Sequence, residues 1–298
     1  MDINTFLPAV RKNVLLKNYT TFRIGGPARY FFEAKSKDDL FLAIKTAKRF
    51  NLSFFILGRG SNLLVSDKGY KGLVIKIKSS KIKSQKDVKT IFAEAGVSLI
   101  QLVNFSFKKA LTGLEWASGI PGTVSGAVFG NAGAFGKSMK DAVVKIEVFN
   151  AKTLKFETYN SKDCKFAYRE SIFKKKKHLI ITSVIIKLKK GKKIKIKKKI
   201  KECLGRKKKS QPLNYASVGS IFKNPNKKSA GKLIEDCGLK GKRIGKAKIS
   251  EKHTNFIVNL GDARAENVKK LINFAKKAVK KRFGVSLREE IQYLGFEN

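Results

Sequence analysis

Acidic residues are scarce in this chain. Only 22 Asp and Glu stand against 66 Lys and Arg in 298 residues, a formal net charge of +44. The composition is otherwise that of a folded protein, with 42% hydrophobic and 30% charged residues, which excludes a disordered, collagen-like or coiled-coil chain. Arginine is scarce within the basic set: 11 residues, against 55 lysines spread along the chain. A dedicated nucleic-acid reader relies on the bidentate guanidinium, so no specific nucleic-acid partner is expected. Two readings of the charge stay open, a lysine-biased surface on an ordinary protein and a surface that meets a polyanionic partner.

Cysteine and histidine are also few. Cys164, Cys203 and Cys237 are odd in number and widely spaced, which excludes a disulfide framework and favours a reducing compartment, with the cytoplasm as the expectation. With only His178 and His253 beside them, no zinc constellation is formed and no metal is expected. The N-terminal segment carries no signal-peptide core. One long uncharged stretch, Trp116 to Gly136, has the length of a membrane span. Its six glycines, Pro121 and interspersed Ser, Thr and Asn make it too polar and flexible to be one, and it reads as a loop system approaching something closely.

The length suggests two domains. Tyr30 to Ala34 reads as a strand, and Ser36 with Asp38 and Asp39 starts a helix through Leu40, Ile44, Ala47 and Phe50. A strand at Phe54 to Leu57 completes a βαβ unit and runs into Gly58-Arg59-Gly60-Ser61-Asn62. Further strands are predicted at Leu73 to Ile77, Thr90 to Ala95, Val143 to Asn150 and Leu179 to Leu188, with a helix over Ser98 to Ala110. A lysine-dense segment, Lys189 to Lys209, contains a helix predicted to end near Arg206, where the domain boundary is placed. Beyond it come a helix at Ser229 to Cys237 and a strand at Phe256 to Asn259. A long helix from about Arg264 to Phe283, capped by Asp262 and stopped by Gly284, leads to a final strand at Glu290 to Leu294.

Two glycine-rich turns carry the chemistry. One is Gly58 to Asn62 and the other is Ser118-Gly119-Ile120-Pro121-Gly122-Thr123-Val124-Ser125-Gly126-Ala127. Their glycines let backbone N–H groups approach a phosphate, while Ser61, Asn62, Thr123 and Ser125 add side-chain donors, a chemistry suited to a pyrophosphate. Taken singly, each is also an ordinary tight turn. Neither follows the Rossmann or Walker spacing, which disfavours the usual nucleotide folds.

The resemblance becomes specific when the segments are read in order. Asn18-Tyr19-Thr20-Thr21-Phe22-Arg23-Ile24-Gly25-Gly26-Pro27-Ala28, the Gly58 to Asn62 turn, and Gly119 to Gly122 through Gly130-Asn131-Ala132-Gly133-Ala134 resemble the flavin-binding half of the UDP-N-acetylenolpyruvoylglucosamine reductases. Tyr168-Arg169-Glu170-Ser171, Gly219-Ser220-Ile221-Phe222-Lys223-Asn224-Pro225, Ala230 to Glu235 and Ser250 to Phe256 resemble that family's substrate-side motifs, so the resemblance spans nearly the whole chain. It implies an α+β chain with an FAD-binding domain of the vanillyl-alcohol-oxidase (PCMH) type at 1–206, in two subdomains of about 1–78 and 79–206. A small α+β substrate-binding domain at 207–298 follows.

The resemblance also implies the activity. The family reduces UDP-N-acetylglucosamine enolpyruvate to UDP-N-acetylmuramate for peptidoglycan, with NADPH supplying the hydride through FAD. The motifs transfer three catalytic roles. Arg169 faces the carboxylate as negative charge builds there, Ser220 donates the proton to carbon, and Glu290 is the C-terminal glutamate, with adjacent Glu289 leaving open which carboxylate faces the site. Gly58, Arg59, Gly60, Ser61, Asn62, Gly119, Gly122, Thr123, Ser125 and Gly126 are the expected cofactor-binding residues; Tyr168, Lys223 and Asn224 are those for substrate. His253 and Asn255 are weaker candidates that could organise a loop. No histidine precedes His178, so FAD is expected to be non-covalent, and the short Arg169 to Ser220 interval fits the subclass without an extra tyrosine loop. A monomer with no membrane span is expected. The alternatives are another flavin oxidoreductase of the same fold and a polyanion-binding protein.

Overall fold

The computed structural model describes residues 2–225 and 228–296; Met1, Glu297 and Asn298, which end the expected domain ranges, lie outside them. Strand β1 (Pro27–Ala34) leads into helix α1 (Lys37–Arg49). Ser36 starts this helix because its hydroxyl accepts the Asp39 N–H while the Asp39 carboxylate accepts the Ser36 N–H at 3.1 Å. Asp38 and Asp39 at one end and Lys48 and Arg49 at the other complement the helix dipole. Strands β2 (Phe54–Leu57), β3 (Leu63–Val65), β4 (Tyr70–Ile77), β5 (Ile82–Ser84) and β6 (Thr90–Glu94) follow. Helix α2 (Leu99–Lys108) repeats the reciprocal cap with Ser98 and Gln101, and the short helix α3 (Val124–Phe129) is capped by Thr123. Next come β7 (Val143–Asn150), β8 (Lys155–Asn160), β9 (Leu179–Lys187) and helix α4 (Lys193–Ser210). The C-terminal part holds α5 (Ala230–Asp236), β10 (Arg243–Ile244), β11 (Ala247–Ile249), β12 (Ile257–Asn259), α6 (Ala265–Phe283) and β13 (Gln292–Leu294).

Contacts divide the chain into two units. The first takes the segment ending at Val10 with Phe31–Gly58 and Leu73–Lys207; the second takes Arg11–Tyr30, Arg59–Gly72 and everything from Lys208 onward. The first unit is built on a five-stranded antiparallel sheet in the order β8-β7-β9-β6-β5. Its central strand β9 is buried along nearly its whole length, with α3 packed against it, and its sequence is apolar apart from Thr182, Ser183 and the terminal Lys187. Irregular register in β7 at Glu147/Val148 places the Glu147 carboxylate against the hydroxyls of Thr182 and Ser183, both at 3.0 Å, and against Lys37 Nζ.

The second unit has a three-stranded sheet β10-β11-β12 covered by α6, which buries Val268, Leu271, Ile272, Ala275 and Val279 at helical spacing. Strand β13 lies parallel to β3, pairing Tyr293 with Leu64.

Three expectations are corrected. Helix α4 runs on to Ser210 instead of ending near Arg206, because nothing stops it until Pro212 restricts the preceding Gln211. Helix α6 is not capped by Asp262, whose φ of 51° turns the chain before the helix. The cap comes from Asp67, whose carboxylate accepts the N–H groups of Ala265 at 2.9 Å and Glu266 at 3.2 Å. The last strand begins at Gln292 instead of Glu290.

Candidate active site

The first unit gathers Gly58, the Ser118 to Gly126 loop, Tyr168 and Arg169. The two glycine-rich turns meet here, since a Cβ added to Gly58 would lie 2.7 Å from Thr123 Oγ1. Any side chain at 58 therefore displaces the Thr123 hydroxyl, and Lys76 Nζ fixes the Gly58 carbonyl at 3.2 Å. Within the loop, Thr123 Oγ1 accepts the Gly126 N–H at 3.2 Å, and Ser125 donates its hydroxyl to Ala95 O at 2.9 Å. These two hydroxyls shape the loop. Leu99 N–H to Gly122 O and Val124 N–H to Val97 O anchor it further, at 3.0 and 2.8 Å.

Ser118 at the head of the loop is only 3% exposed, and its hydroxyl has no hydrogen-bond partner among the described residues. An orphaned buried hydroxyl costs about 1–3 kcal/mol unless a polar ligand reaches it. The loop therefore fits a polar cofactor such as the flavin dinucleotide.

Arg169 sits in a tight turn in which Ala167 and Glu170 exchange backbone hydrogen bonds, and its φ of 57° lies in the left-handed region. The turn is tied to the Asn131-Ala132-Gly133 segment by Asn131 Nδ2 to Ala167 O at 2.8 Å and by Arg169 Nη2 to Gly133 O at 2.9 Å. Ser171 adds a hydroxyl bond to Phe129 O. Such strain in a non-glycine residue persists only where surrounding contacts over-determine it, as they do here. The guanidinium also lies 5.2 Å from the ring of the exposed Tyr168.

The second unit holds Arg59, Gly60, Ser61, Asn62, Ser220, Lys223, Asn224 and Glu290. Ser220 is carried on a segment that pairs on both sides. Ile221 N–H donates to Asn255 O at 2.8 Å on one side, and Glu290 N–H donates to Ile221 O at 2.8 Å on the other, followed by Lys223 N–H to Arg288 O. The Asn255 side chain accepts from Phe222 N–H and donates to Phe222 O, both at 2.9 Å, and so stands in for a strand partner. His253 accepts the Asn255 N–H at 3.3 Å and packs on Phe256; burial pushes its pKa down, so the ring is neutral at pH 7. Both residues thus organise the loop.

Glu289 and Glu290 are distinguished by their surroundings. The Glu289 carboxylate accepts Lys276 Nζ at 2.8 Å and the Tyr293 hydroxyl, and burial followed by this carboxylate holds the phenol far above its usual range. Glu290 is held by its backbone, with its carbonyl accepting Asn62 Nδ2 at 3.1 Å and Gln292 N–H donating to Asn62 O at 2.9 Å. The Gly60 carbonyl accepts the Thr21 N–H, and Thr21 in turn donates its hydroxyl to Ser217 O at 2.7 Å. The Asn18 to Ala28 motif therefore works as a brace for the turn and for the segment leading to Ser220. Asn224 Oδ1 accepts the Ala230 N–H at 3.1 Å, at the start of α5. A separate cleft of about 570 Å³ in this unit, whose lining includes Lys17, Arg23, Tyr215 and Asp262, contains none of the candidate residues.

One residue escaped the sequence reading. Lys207 of α4 is buried and donates to the carbonyls of Trp116 and Ser118. The signal was available in Ile196, Ile200 and Cys203, whose helical spacing continues to Lys207.

Comparison with known proteins assigns the sequence and fold to one family. The family model for the UDP-N-acetylenolpyruvoylglucosamine reductase C-terminal domain covers residues 211–294, and that for an FAD binding domain covers residues 28–154. The UDP-N-acetylenolpyruvoylglucosamine reductase of Caldanaerobacter subterraneus subsp. tengcongensis is 45% identical over 283 residues, covering 95% of this chain and 93% of the relative. That of Anoxybacillus flavithermus is 41% identical over 287 residues, covering 96% and 94%. The crystal structure of the Thermus caldophilus enzyme superposes with a TM-score of 0.82 at 37% identity, covering 96% of this chain and 99% of that one. With its FAD-domain match, its C-terminal domain match and relatives similar over nearly their full length, the chain belongs to the UDP-N-acetylenolpyruvoylglucosamine reductase family.

Proposed function

We infer that this protein is an NADPH-dependent flavoenzyme that reduces UDP-N-acetylglucosamine enolpyruvate to UDP-N-acetylmuramate for peptidoglycan precursor synthesis. The observation that carries the reading is the full-length similarity to these reductases together with the FAD-domain match. Bound FAD supplies a hydride carrier that takes its electrons from NADPH.

This chain's residues then have defined work. Arg169 binds the substrate carboxylate through its planar fork, and the Gly133 carbonyl that it already contacts fixes the direction of the fork. As charge builds on that carboxylate and the adjacent carbon, the guanidinium stabilises it. Ser220 holds the proton that the carbon receives, and the pairing of its segment with Asn255 and Glu290 keeps it from moving away. Glu290 is the third member, a role supported by the commitment of Glu289 to Lys276 and Tyr293. Tyr168, Lys223 and Asn224 are assigned to substrate. The ten expected cofactor residues keep that role, with Thr123 and Ser125 acting through the shape of their loop.

Residues 1–206 and 207–298 are assigned as the FAD-binding and substrate-binding domains. The protein is taken to act as a cytoplasmic monomer serving cell-wall growth, and hence cell shape and division. No helix among the described residues is long and apolar enough to cross a membrane.

The test is an anaerobic visible spectrum of the purified protein, before and after NADPH and then after the enolpyruvyl substrate. A flavin band that bleaches with NADPH and returns with that substrate is expected. Bleaching without return would withdraw the substrate, and no band even with added FAD would withdraw the enzyme.

A further inference from the structure

Helix α4 withdraws one narrow stripe from solvent, Ile196, Ile200, Cys203 and Lys207, spaced four, three and four residues apart, and Ile200 packs against the first unit's core. The first three are what such a stripe requires. The fourth is a lysine, 5% exposed, whose neighbours Arg206 and Lys208 are exposed to solvent. A buried ammonium is costly unless its N–H groups are matched, and a methionine would pack the same place without that cost. Here they are matched by backbone: Lys207 Nζ donates to Ser118 O and, at 3.5 Å, to Trp116 O.

Those two carbonyls belong to the head of the glycine-rich loop. Between them and the anchored end at Gly122 lies Gly119-Ile120-Pro121, and α4 covers it closely. A Cβ at Gly119 would stand 3.0 Å from Leu204 Cδ2 and 3.6 Å from Lys207 Cδ. The loop is therefore pinned at its far end by Leu99 and Val124 and at its near end by Lys207. The Ser118 hydroxyl, buried and without a partner among the described residues, is attached to the peptide that Lys207 orients.

We propose that Lys207 is a positioning residue for the flavin: by holding the carbonyls of Trp116 and Ser118 it fixes the Ser118 to Gly122 loop in the conformation that receives the cofactor. The proposal rests on the flavin reading above. Burial pushes the Lys207 pKa down to about 8, with Cys203 pulling the other way. Cys203 is in turn acted on by Arg206 and Glu202 of the same helix and by Glu115 on the turn before Trp116. Glu115 is itself engaged by Thr112 Oγ1 and Gly113 N–H. Above that pH the amine keeps weaker, uncharged donors, so the hold on the loop loosens within an accessible range.

The experiment measures the FAD dissociation constant of the apoprotein by flavin fluorescence from pH 6 to 10, for the native chain, Lys207→Met and Lys207→Arg, with thermal melts to establish folding. Native affinity is expected to fall several-fold above pH about 8. Lys207→Met should bind about tenfold more weakly at pH 7, with that pH step abolished. Lys207→Arg should bind tightly throughout, because a guanidinium stays charged. A folded Lys207→Met that binds FAD like the native chain, or a folded Lys207→Arg that fails as Lys207→Met does, would overturn the proposal. A native chain that binds no FAD at any pH would overturn the flavin reading along with it.

Discussion

The side-chain amide of Asn62 donates to the carbonyl of Glu290 at 3.1 Å across 228 residues of sequence. With Gln292 N–H returning to Asn62 O, it fastens Asn62 to the segment that carries the assigned glutamate and leads into the last strand. A residue expected to touch cofactor thus also sets the backbone position of the glutamate proposed as catalytic. Asn62→Ala should lower stability by about 1 kcal/mol and reduce kcat more than that loss explains. The check is a thermal melt beside steady-state kinetics; unchanged kcat in a folded variant would refute the coupling.

The neighbouring carboxylates should separate cleanly. Glu289→Gln loses the Lys276 contact, which involves a lysine 42% exposed, so the variant should be destabilised by no more than about 1 kcal/mol and keep its turnover. Glu290→Gln should remove most turnover while leaving the melt nearly unchanged. Equal kinetic losses in the two variants would show that the assignment of Glu290 is wrong.

Ser220→Ala should leave bleaching of the flavin by NADPH intact and slow its reoxidation by substrate by about 10²–10⁴-fold, the range for a lost general acid. Arg169→Lys should impair the same second step, because a point charge cannot reproduce a fork held against Gly133 O. Stopped-flow traces of the two half-reactions decide both, and equal loss in the first step would count against these roles.

Glu147 should give the fold an acid limit. Burial raises its pKa, but Lys37 and the hydroxyls of Thr182 and Ser183 outweigh this and hold it below the ordinary 4.5. A carboxylate depressed on folding contributes stability that is fully present above its unfolded pKa and lost as pH falls through the folded value. Glu147→Gln should cost about 1–3 kcal/mol at pH 7 and progressively less below pH about 4. Denaturant melts at pH 7 and pH 3.5 would show it; an equal cost at both would sink the linkage.

Much of this protein was determined by its sequence, because the signals were local. Ser36 and Ser98 started helices through side chains three residues away, the apolar residues of Leu179 to Leu188 announced a strand, and the ordered glycine-rich and Tyr168-Arg169 motifs carried the family. What the tertiary structure decided is whatever depends on partners distant in sequence. Asp67 caps α6 from 198 residues away, a role that adjacency alone would give to Asp262. Asn255 completes the pairing of Phe222, and Glu289 is engaged by Lys276, contacts between neighbours that periodicity cannot supply. Lys207 shows the same division within one helix. The stripe it continues is written in the sequence, but that its charge meets two loop carbonyls is settled only when the chain brings residue 118 to residue 207.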